Sequence, residues 1–490
     1  MIKPHLSQRR NNMSEQKFAY PSLMNFFKTI SGIPRPSYHE EKIADYLVEF
    51  AKERSLSYHR DSANNVLIDL PASKGYEDRA PILLQGHTDM VCEKNEGVEH
   101  DFLNDPLKLY EKDGWLRAEG TTLGADDGVA VAVMLALLDG AAEKHPALQC
   151  LFTSAEEVGL DGAKAFDYSR IFARKMVNMD GNDDRTIIVG CAGGIRSSMQ
   201  LPLAKETCNA PLLRICIKGL MGGHSGEDIH RSRANANQLM GRVLWSLSAK
   251  FEEMRLVSME GGSKDNAIPR EAVAVVALGD PDAAMAMLAD ISKEIKAELY
   301  ADDSAFALLA EPMAENTPTC FDRAGTERVA FLLLCVANGV LETNPDLSGM
   351  VEFSRNLGIV ITNDSGMEFV FSSRSARDSQ LDCSVAQLDA YAKILGGTVT
   401  HYNRYPGWAY EENSVLRNDY VRAFCKQYGK TPKIETIHAG LECGIIKQAI
   451  PDMDMLSCGA VIRDLHSPDE AMHIESFERF FGLILDFIQQ

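Results

Sequence analysis

The feature that most constrains this chain is an alternation of helix-like and strand-like segments that stops partway along and later resumes. In YHEEKIADYLVEFAKERS (38–55) apolar residues recur at helical spacing. NVLIDL (65–70) and PILLQ (81–85) are apolar runs of strand length. GVAVAVMLALLDGAAE (128–143) is apolar on nearly every face and predicts a buried helix, while ALQCLFT (147–153) and KMVNMD (175–180) predict two more strands. Such alternation predicts an α/β sheet with helices on both faces. The texture returns after YPGW (405–408): a helix over 415–428, a strand, a helix over 440–449, the strand MDMLSCGA (453–460) and a last helix over 475–488.

Between 191 and 407 the pattern is different. LLRICIKG (212–219), MRLVSMEGG (254–262) and EAVAVVAL (271–278) read as strands, with helices over 233–248 and 283–299. A second set follows: a helix over 325–340, strands NLGIVIT (356–362) and MEFVFSS (367–373) joined by NDSG, a helix over 384–397 and the strand TVTHYN (398–403). Two α+β units of similar size predict a large inserted domain built as a duplicated layer. The simplest architecture is one α/β domain built from 1–190 and 408–490 and interrupted by an α+β insertion, 191–407.

Charge and composition narrow the function classes. A net charge of −20 argues against a nucleic-acid or anionic-membrane partner. The longest apolar runs, VAVAVMLALL (129–138) and VAFLLLCVANGVL (329–341), are too short to span a bilayer. The first eighteen residues hold no apolar segment and read as a polar tail rather than a secretory signal, with Met13 a candidate start. Eleven cysteines are scattered without a CxxC, and several, such as Cys150 and Cys335, stand in apolar contexts. That fits reduced thiols in a cytoplasmic protein and disfavours a cysteine metal site.

Five acidic or imidazole positions share one kind of place. His87 and Asp89 end the strand PILLQGHTDMV, and Asp126-Asp127 opens the helix of TTLGADDGVA. Glu156-Glu157 follows the strand LFTSAEEVG, Asp180 ends VNMDG, and His466 in VIRDLHSPDE follows the strand at 453–460. In open α/β sheets, ligands bind outside the carboxyl ends of the strands. Singly, each position has an ordinary structural use, such as a helix N-cap for the aspartates or a turn for Asp180-Gly. Together they form a nitrogen and oxygen donor set suited to Zn²⁺ or a similar divalent ion. One bridging carboxylate with terminal ligands on each side is what a two-metal site needs.

In order along the chain, HTD, GADDG, EE, D and a late H resemble the co-catalytic di-zinc aminopeptidase and carboxypeptidase superfamily. More narrowly, TTLGADDG, GCAGGI (190–195), KGLMGGHSGEDIH (218–230), NAIPRE (266–271), IHAGLECG (437–444) and HSPDEAMHIES (466–476) resemble the Xaa-His (aminoacyl-histidine, carnosinase-type) dipeptidases. The resemblance implies a zinc-peptidase-type catalytic domain in two parts, 1–190 and 408–490, and a lid domain over 191–407. It implies two Zn²⁺, with Co²⁺ or Mn²⁺ able to substitute. Asp126 would bridge them across a cis peptide to Asp127, with His87 and Asp180 on one metal and Glu157 and His466 on the other. Glu156 matches the general base and Asp89 the carboxylate behind His87.

The implied reaction is hydrolysis of Xaa-His dipeptides, carnosine-like ones included, by a metal-bridging hydroxide with Glu156 as base. In the lid, His224 matches an oxyanion-stabilising group, and Asn266 and Arg374 match groups that hold the substrate, Arg374 by its carboxylate. His438 and Gly440 would line the site. A cytoplasmic homodimer formed through the lid is the implied assembly. A deacylase or amidohydrolase on the same fold, and an inactive metal-binding scaffold, are the competing readings. No HExxH, P-loop or GxSxG is present to support a different hydrolase.

Overall fold

The computed structural model describes residues 18–314, 319–347 and 349–490; the polar tail expected at the N-terminus lies almost wholly outside them. The chain divides into two compact units. Unit 1 holds the described residues up to Thr186, with Leu416–Pro432 and Ser457–Gln490; unit 2 holds Ile187–Val415 and Lys433–Leu456.

Unit 1 is built on a mixed sheet. Ser57–Arg60, Val66–Leu70 and Leu148–Thr153 pair antiparallel in that order. Ile82–His87 then runs parallel to both Leu148–Thr153 and Lys175–Gly181. Every residue of Ile82–His87 and Leu148–Thr153 is buried, which is why both read as continuous apolar runs rather than alternating ones. Three parallel strands end on the same side, so His87, the segment after Thr153 and Asp180 fall on one rim.

The helix Ala125–Leu138 is buried at every residue from Asp127 on. Asp126 (φ −82°, ψ 107°) and Asp127 (φ −111°, ψ 42°) are not helical, so the aspartate pair forms a kinked entry and the regular helix runs from Gly128, the expected start. It ends at Leu138, sooner than expected, and Gly140 beyond it takes a φ of 91°. Helices Pro21–Ser31 and Ile474–Ile488 close this core, with Phe27 packed edge-on against Phe477 and Tyr20 against Phe481. A second, four-stranded sheet orders Ile462–Arg463, Ala471–His473, Trp115–Ala118 and Leu109–Lys112. It sets the chain around His466 beside the chain that leads into the Asp126 loop.

Unit 2 is built on a nine-stranded antiparallel sheet and carries four long helices, Ala236–Lys250, Pro281–Glu298, Arg323–Cys335 and Asp378–Leu395. The order is Ala307–Met313, Leu212–Lys218, Ala272–Ala277, Arg255–Gly261, Val351–Asn363, Gly366–Ser375, Gly193–Pro202 and Thr398–Tyr405, with Gly339–Thr343 also on Val351–Asn363. Within the sheet the two halves join where Glu260 pairs with Ile361 and Gly261 with Val360. Asn235 and Asp280 cap the helices Ala236–Lys250 and Pro281–Glu298, their side chains accepting backbone N–H bonds of the first turns. The helix expected over 325–340 stops at Cys335; Gly339, at φ 89°, turns the chain into the strand Gly339–Thr343. Gly193–Pro202 escaped the sequence reading because two of its positions are glycine and one buried position is Ser197.

Gly241 shows how tightly unit 2 is packed. A Cβ there would overlap the Leu333 Cβ and lie 2.7 Å from the Leu333 carbonyl carbon, where helices Ala236–Lys250 and Arg323–Cys335 cross. Alanine should gain about 1 kcal/mol of helix propensity, yet overpacking costs about 1–3 kcal/mol. Gly241→Ala is therefore expected to lower the thermal midpoint, and an unchanged or raised midpoint by calorimetry would show that this crossing relaxes freely.

Candidate metal centre

His87 is the last residue of its strand, and its ring is fixed from behind. Nδ1 lies 3.1 Å from the Asp89 main-chain carbonyl and 3.5 Å from the Asp89 carboxylate. An Nδ1–H donated to that carbonyl leaves the Nε2 lone pair facing forward. Nε2 stands 2.9 Å from Asp126 Oδ1 and 3.8 Å from Asp180 Oδ1. On the other side of Asp126, His466 Nε2 lies 3.4 Å from Asp126 Oδ2 and 3.0 Å from Glu157 Oε1. The Asp126–Asp127 peptide is cis.

Donor atoms of His87, Asp126 and Asp180 lie within 4.8 Å of one another, as do those of Asp126, Glu157 and His466. Asp126 belongs to both groups. A third group joins His87, Glu156 and Glu157 on the same criterion. All seven expected residues of unit 1, Asp89 included, are thus brought into one cluster.

The chemistry of the cluster suits a divalent cation. Glu157 Oε1 is buried and has no hydrogen-bond partner, although an imidazole nitrogen is 3.0 Å away. His87 cannot donate from both nitrogens while neutral, yet Nε2 faces two carboxylates. Burial pushes the Asp180 carboxyl well above its ordinary value, and the nearby Asp126 charge adds to this. Burial acts on Asp126 in the same direction, but hydrogen bonds with His466 and His87 outweigh it and hold that carboxyl low. Acidic lone pairs and imidazole lone pairs converge here without enough protons to share, which is how a set of metal ligands differs from a salt bridge.

In unit 2, His224 sits on the two-residue strand Gly223–His224, paired with Ala267, while Ser225 N–H donates to the Asn266 carbonyl at 2.8 Å. That pairing sets His224 and Asn266 side by side on the wall of a cavity of about 620 Å³, together with Lys264 and Arg270. Arg374 is 4% exposed; its Nη1 donates to the Tyr405 hydroxyl at 3.0 Å, and its Nε has no hydrogen-bond partner. Opposite Arg374 on the neighbouring strand, Ser354 bonds His438 Nε2 at 2.7 Å. Gly440 and Gly194 leave the space that the Tyr405 ring fills. Arg374 lies within electrostatic reach of both His224 and His438: burial lowers the pKa of both histidines, and the Arg374 charge lowers it further.

Comparison with known proteins places this arrangement. Residues 83–490 match the profile of "Peptidase family M20/M25/M40". The chain belongs to this family. It is a peptide hydrolase. Over 483 residues, 98% of this chain and 99% of the relative, it is 38% identical to the cytosol non-specific dipeptidase of Escherichia coli K12. The crystal structure of aminoacylhistidine dipeptidase from Vibrio alginolyticus superposes with a TM-score of 0.93 at 35% identity, covering 96% of this chain and 97% of that one. An aminopeptidase of Bacillus cereus shares the fold at a TM-score of 0.56 and 16% identity, covering 96% and 98%.

Four residues of this peptidase that shape the cluster, Arg35, Ser37, Glu40 and Glu470, were not singled out from the sequence. Asp89 does more than back His87: its carboxylate accepts the N–H groups of Glu156 at 3.0 Å and Glu157 at 3.2 Å and the Ser37 hydroxyl at 2.8 Å. Glu40 accepts the Ala155 N–H at 2.9 Å. Among the described residues, the side chains of Arg35 and Glu470 hydrogen-bond to main-chain groups alone. The signal available was the Arg-Pro-Ser run at 35–37 and the Glu of HSPDE, charged residues in stretches otherwise poised to be loops. In unit 2 the missed residues are Tyr405 and Arg196, whose guanidinium pairs with Asp265 at 2.5 Å.

His438 makes a measurable pH dependence. Burial, helped by Arg374, pushes its pKa from 6.5 down to about 3. Above pH 6.5 the ring is neutral folded or unfolded and contributes no pH dependence. As pH falls from 6.5 towards 3, the unfolded chain takes a proton that the native ring refuses, so stability is lost by at most about 1.4 kcal/mol per pH unit. Urea unfolding between pH 7 and 5 is expected to show a shallower acid loss in His438→Asn than in the parent. Equal slopes would mean that His438 titrates normally.

Proposed function

We propose that this protein is a dinuclear metallo-dipeptidase acting on Xaa-His dipeptides, carnosine-like ones among them, in the cytoplasm. The observation that carries the reading is the sharing of Asp126 between the His87–Asp180 and Glu157–His466 groups. On this reading His87, Asp126 and Asp180 hold one ion and Asp126, Glu157 and His466 the other. Zn²⁺ is the proposed ion, and Co²⁺ or Mn²⁺ would fit the same nitrogen and oxygen donors. Ions so held supply Lewis acidity towards a peptide carbonyl and make water more acidic.

The side chains divide the remaining work. Glu156 takes the proton of the attacking water and returns it to the departing amine. Its main chain is tethered to Asp89, as is that of Glu157, so base and ligand keep a fixed relation while playing different roles. Asp89 also fixes the His87 tautomer. In unit 2, Arg374 is a buried guanidinium short of an anion, and the C-terminal carboxylate of a dipeptide is the anion assigned to it. His224 is assigned to the developing oxyanion, and Asn266 to the substrate main chain. The names of the two near relatives, a non-specific dipeptidase and an aminoacylhistidine dipeptidase, support dipeptides as the substrate class.

The test is a matched pair of substrates. Zinc-reconstituted protein is expected to hydrolyse Ala-His and to leave N-acetyl-Ala-His untouched. Glu156→Gln should lower kcat by roughly 10²–10⁴-fold, with two ions still bound by elemental analysis. Preference for the acetylated compound would move the assignment to a deacylase. Equal rates on Ala-His and a panel of other dipeptides would remove the histidine preference while leaving the dipeptidase. A chelated sample is expected to lose activity and to regain it with Zn²⁺ or Co²⁺.

A further inference from the structure

The cluster holds its ligands on loops, and loops do not hold still by themselves. Two buried charges that face no ligand atom account for the order. Glu470, 2% exposed, immediately precedes the strand Ala471–His473, whose Ala471 pairs with Arg117 in the small sheet of unit 1. Its Oε2 accepts the N–H groups of Leu123 at 2.7 Å and Gly124 at 2.9 Å. Its Oε1 accepts those of Ala125 at 2.8 Å and Asp126 at 3.3 Å. One carboxylate thus takes four consecutive main-chain donors of the loop that delivers Asp126.

Arg35, 1% exposed, takes the other side of the same loop. Its Nη2 donates to the Gly124 carbonyl, and its Nη1 donates to the carbonyls of Thr88 at 2.8 Å and Asp89 at 3.2 Å. Gly124 is therefore gripped at its N–H by a carboxylate and at its carbonyl by a guanidinium. Gly124 has to be glycine twice over: its φ is 66°, and a Cβ would lie 2.7 Å from Arg35 Nη2 and 2.8 Å from Met90 Sδ. Gly128 leaves room for the same guanidinium, its Cβ position being 2.9 Å from Nη2.

We propose that Arg35 and Glu470 are positioning residues that lock three ligand-bearing loops, 87–89, 123–126 and 466–470, at the separation that metal binding requires. The proposal rests on the reading of the cluster as a metal centre. Glu470 stands four residues after His466 on one short loop, closed by the Glu470 N–H bond to the Ser467 carbonyl at 3.0 Å. Movement of the Asp126 loop therefore moves Asp126 relative to His466, and movement of Arg35 moves it relative to His87. Only an ionised carboxylate suits Glu470. It is acceptor-only on both oxygens, whereas the amide of glutamine would turn two N–H donors towards two of the four main-chain N–H groups. Charge-assisted bonds of this kind are the strong ones, and the Glu470 charge offsets part of the burial that lowers the pKa of Arg35.

The experiment is a metal titration of the full-length apo-protein and two variants, Glu470→Gln and Glu470→Asp. Calorimetry reads the affinity for Zn²⁺, and visible absorption of the Co²⁺-loaded protein reads ligand geometry without reference to turnover. Both variants are expected to bind Zn²⁺ roughly 10- to 100-fold more weakly and to shift the Co²⁺ spectrum. Glu470→Asp keeps the charge that offsets Arg35, so it folds even where Glu470→Gln does not; it withdraws the acceptors by one methylene. An affinity and spectrum for folded Glu470→Asp that match the parent would overturn the proposal. A parent protein that binds no divalent ion would instead remove the metal-centre reading and this inference with it.

Discussion

Everything in unit 1 turns on keeping Asp126 ionised between two imidazoles while Asp180 and Glu157 stand close by. At about 4 Å and an effective dielectric near 20, two like charges repel by about 4 kcal/mol. Left to themselves, the loops that carry these carboxylates would move apart. The fold prevents this by spending other charges on main-chain groups: Asp89 on the amides of Glu156 and Glu157, Glu40 on that of Ala155, Glu470 on four amides leading to Asp126. Acceptors that bind backbone rather than side chains leave the donor atoms of the cluster uncommitted. That is the condition for a site that binds a cation rather than one that neutralises itself.

The sheet supplies the coarse placement. Parallel pairing of Ile82–His87 with Leu148–Thr153 and with Lys175–Gly181 carries three chain segments to one edge. A shift of register by one residue would turn His87 to the opposite face, so the buried run before it, Ile82 to Gly86, fixes its direction. Gly86 is part of that requirement, since a Cβ there would overlap both Ala130 and the Asp127 carboxylate. Fine placement comes from backbone that most residues avoid. Ala155, just before the Glu156-Glu157 pair, has a φ of 48°, and His466 itself has a φ of 59°. Such conformations persist where surrounding bonds over-determine them. Here those bonds include the Glu40 bond to Ala155 and the loop closure around Ser467 and Glu470.

The part of the site that was legible in the sequence is the part that interrupts an apolar pattern. His87, Asp180 and the Glu156-Glu157 pair stand at the ends of apolar strands, where a polar side chain is conspicuous. Arg35, Glu40 and Glu470 act through backbone amides and carbonyls brought from elsewhere in the chain, and no local pattern marks a partner 89 or 346 residues away. The same division holds for the fold. The helix Val415–Tyr428 has the bounds its periodicity predicts, whereas Gly193–Pro202 alternates burial through serine and arginine and so lacks the apolar contrast that reveals a strand. The end of the helix at Cys335 was obscured because LLLCVANGV remains apolar across the turn.

Unit 2 has the opposite electrostatic imbalance from the cluster in unit 1. Arg196 has Asp265 at 2.5 Å, but among the described residues buried Arg374 hydrogen-bonds a phenol and no carboxylate. His224 and His438 do not relieve this, since they supply no negative charge, and burial together with Arg374 keeps them from adding a second positive one. A buried guanidinium in such company is costly in the free protein and favourable once an anion arrives. Unit 1 is short of a cation and unit 2 is short of an anion. On the proposed reading, each ligand would remove an unfavourable term of the native state, which would link ligand binding to folding stability in both units. The affinity of each proposed site would then be set partly by that term, and a substitution that removes it, such as Arg374→Met, is expected to raise stability at the expense of binding.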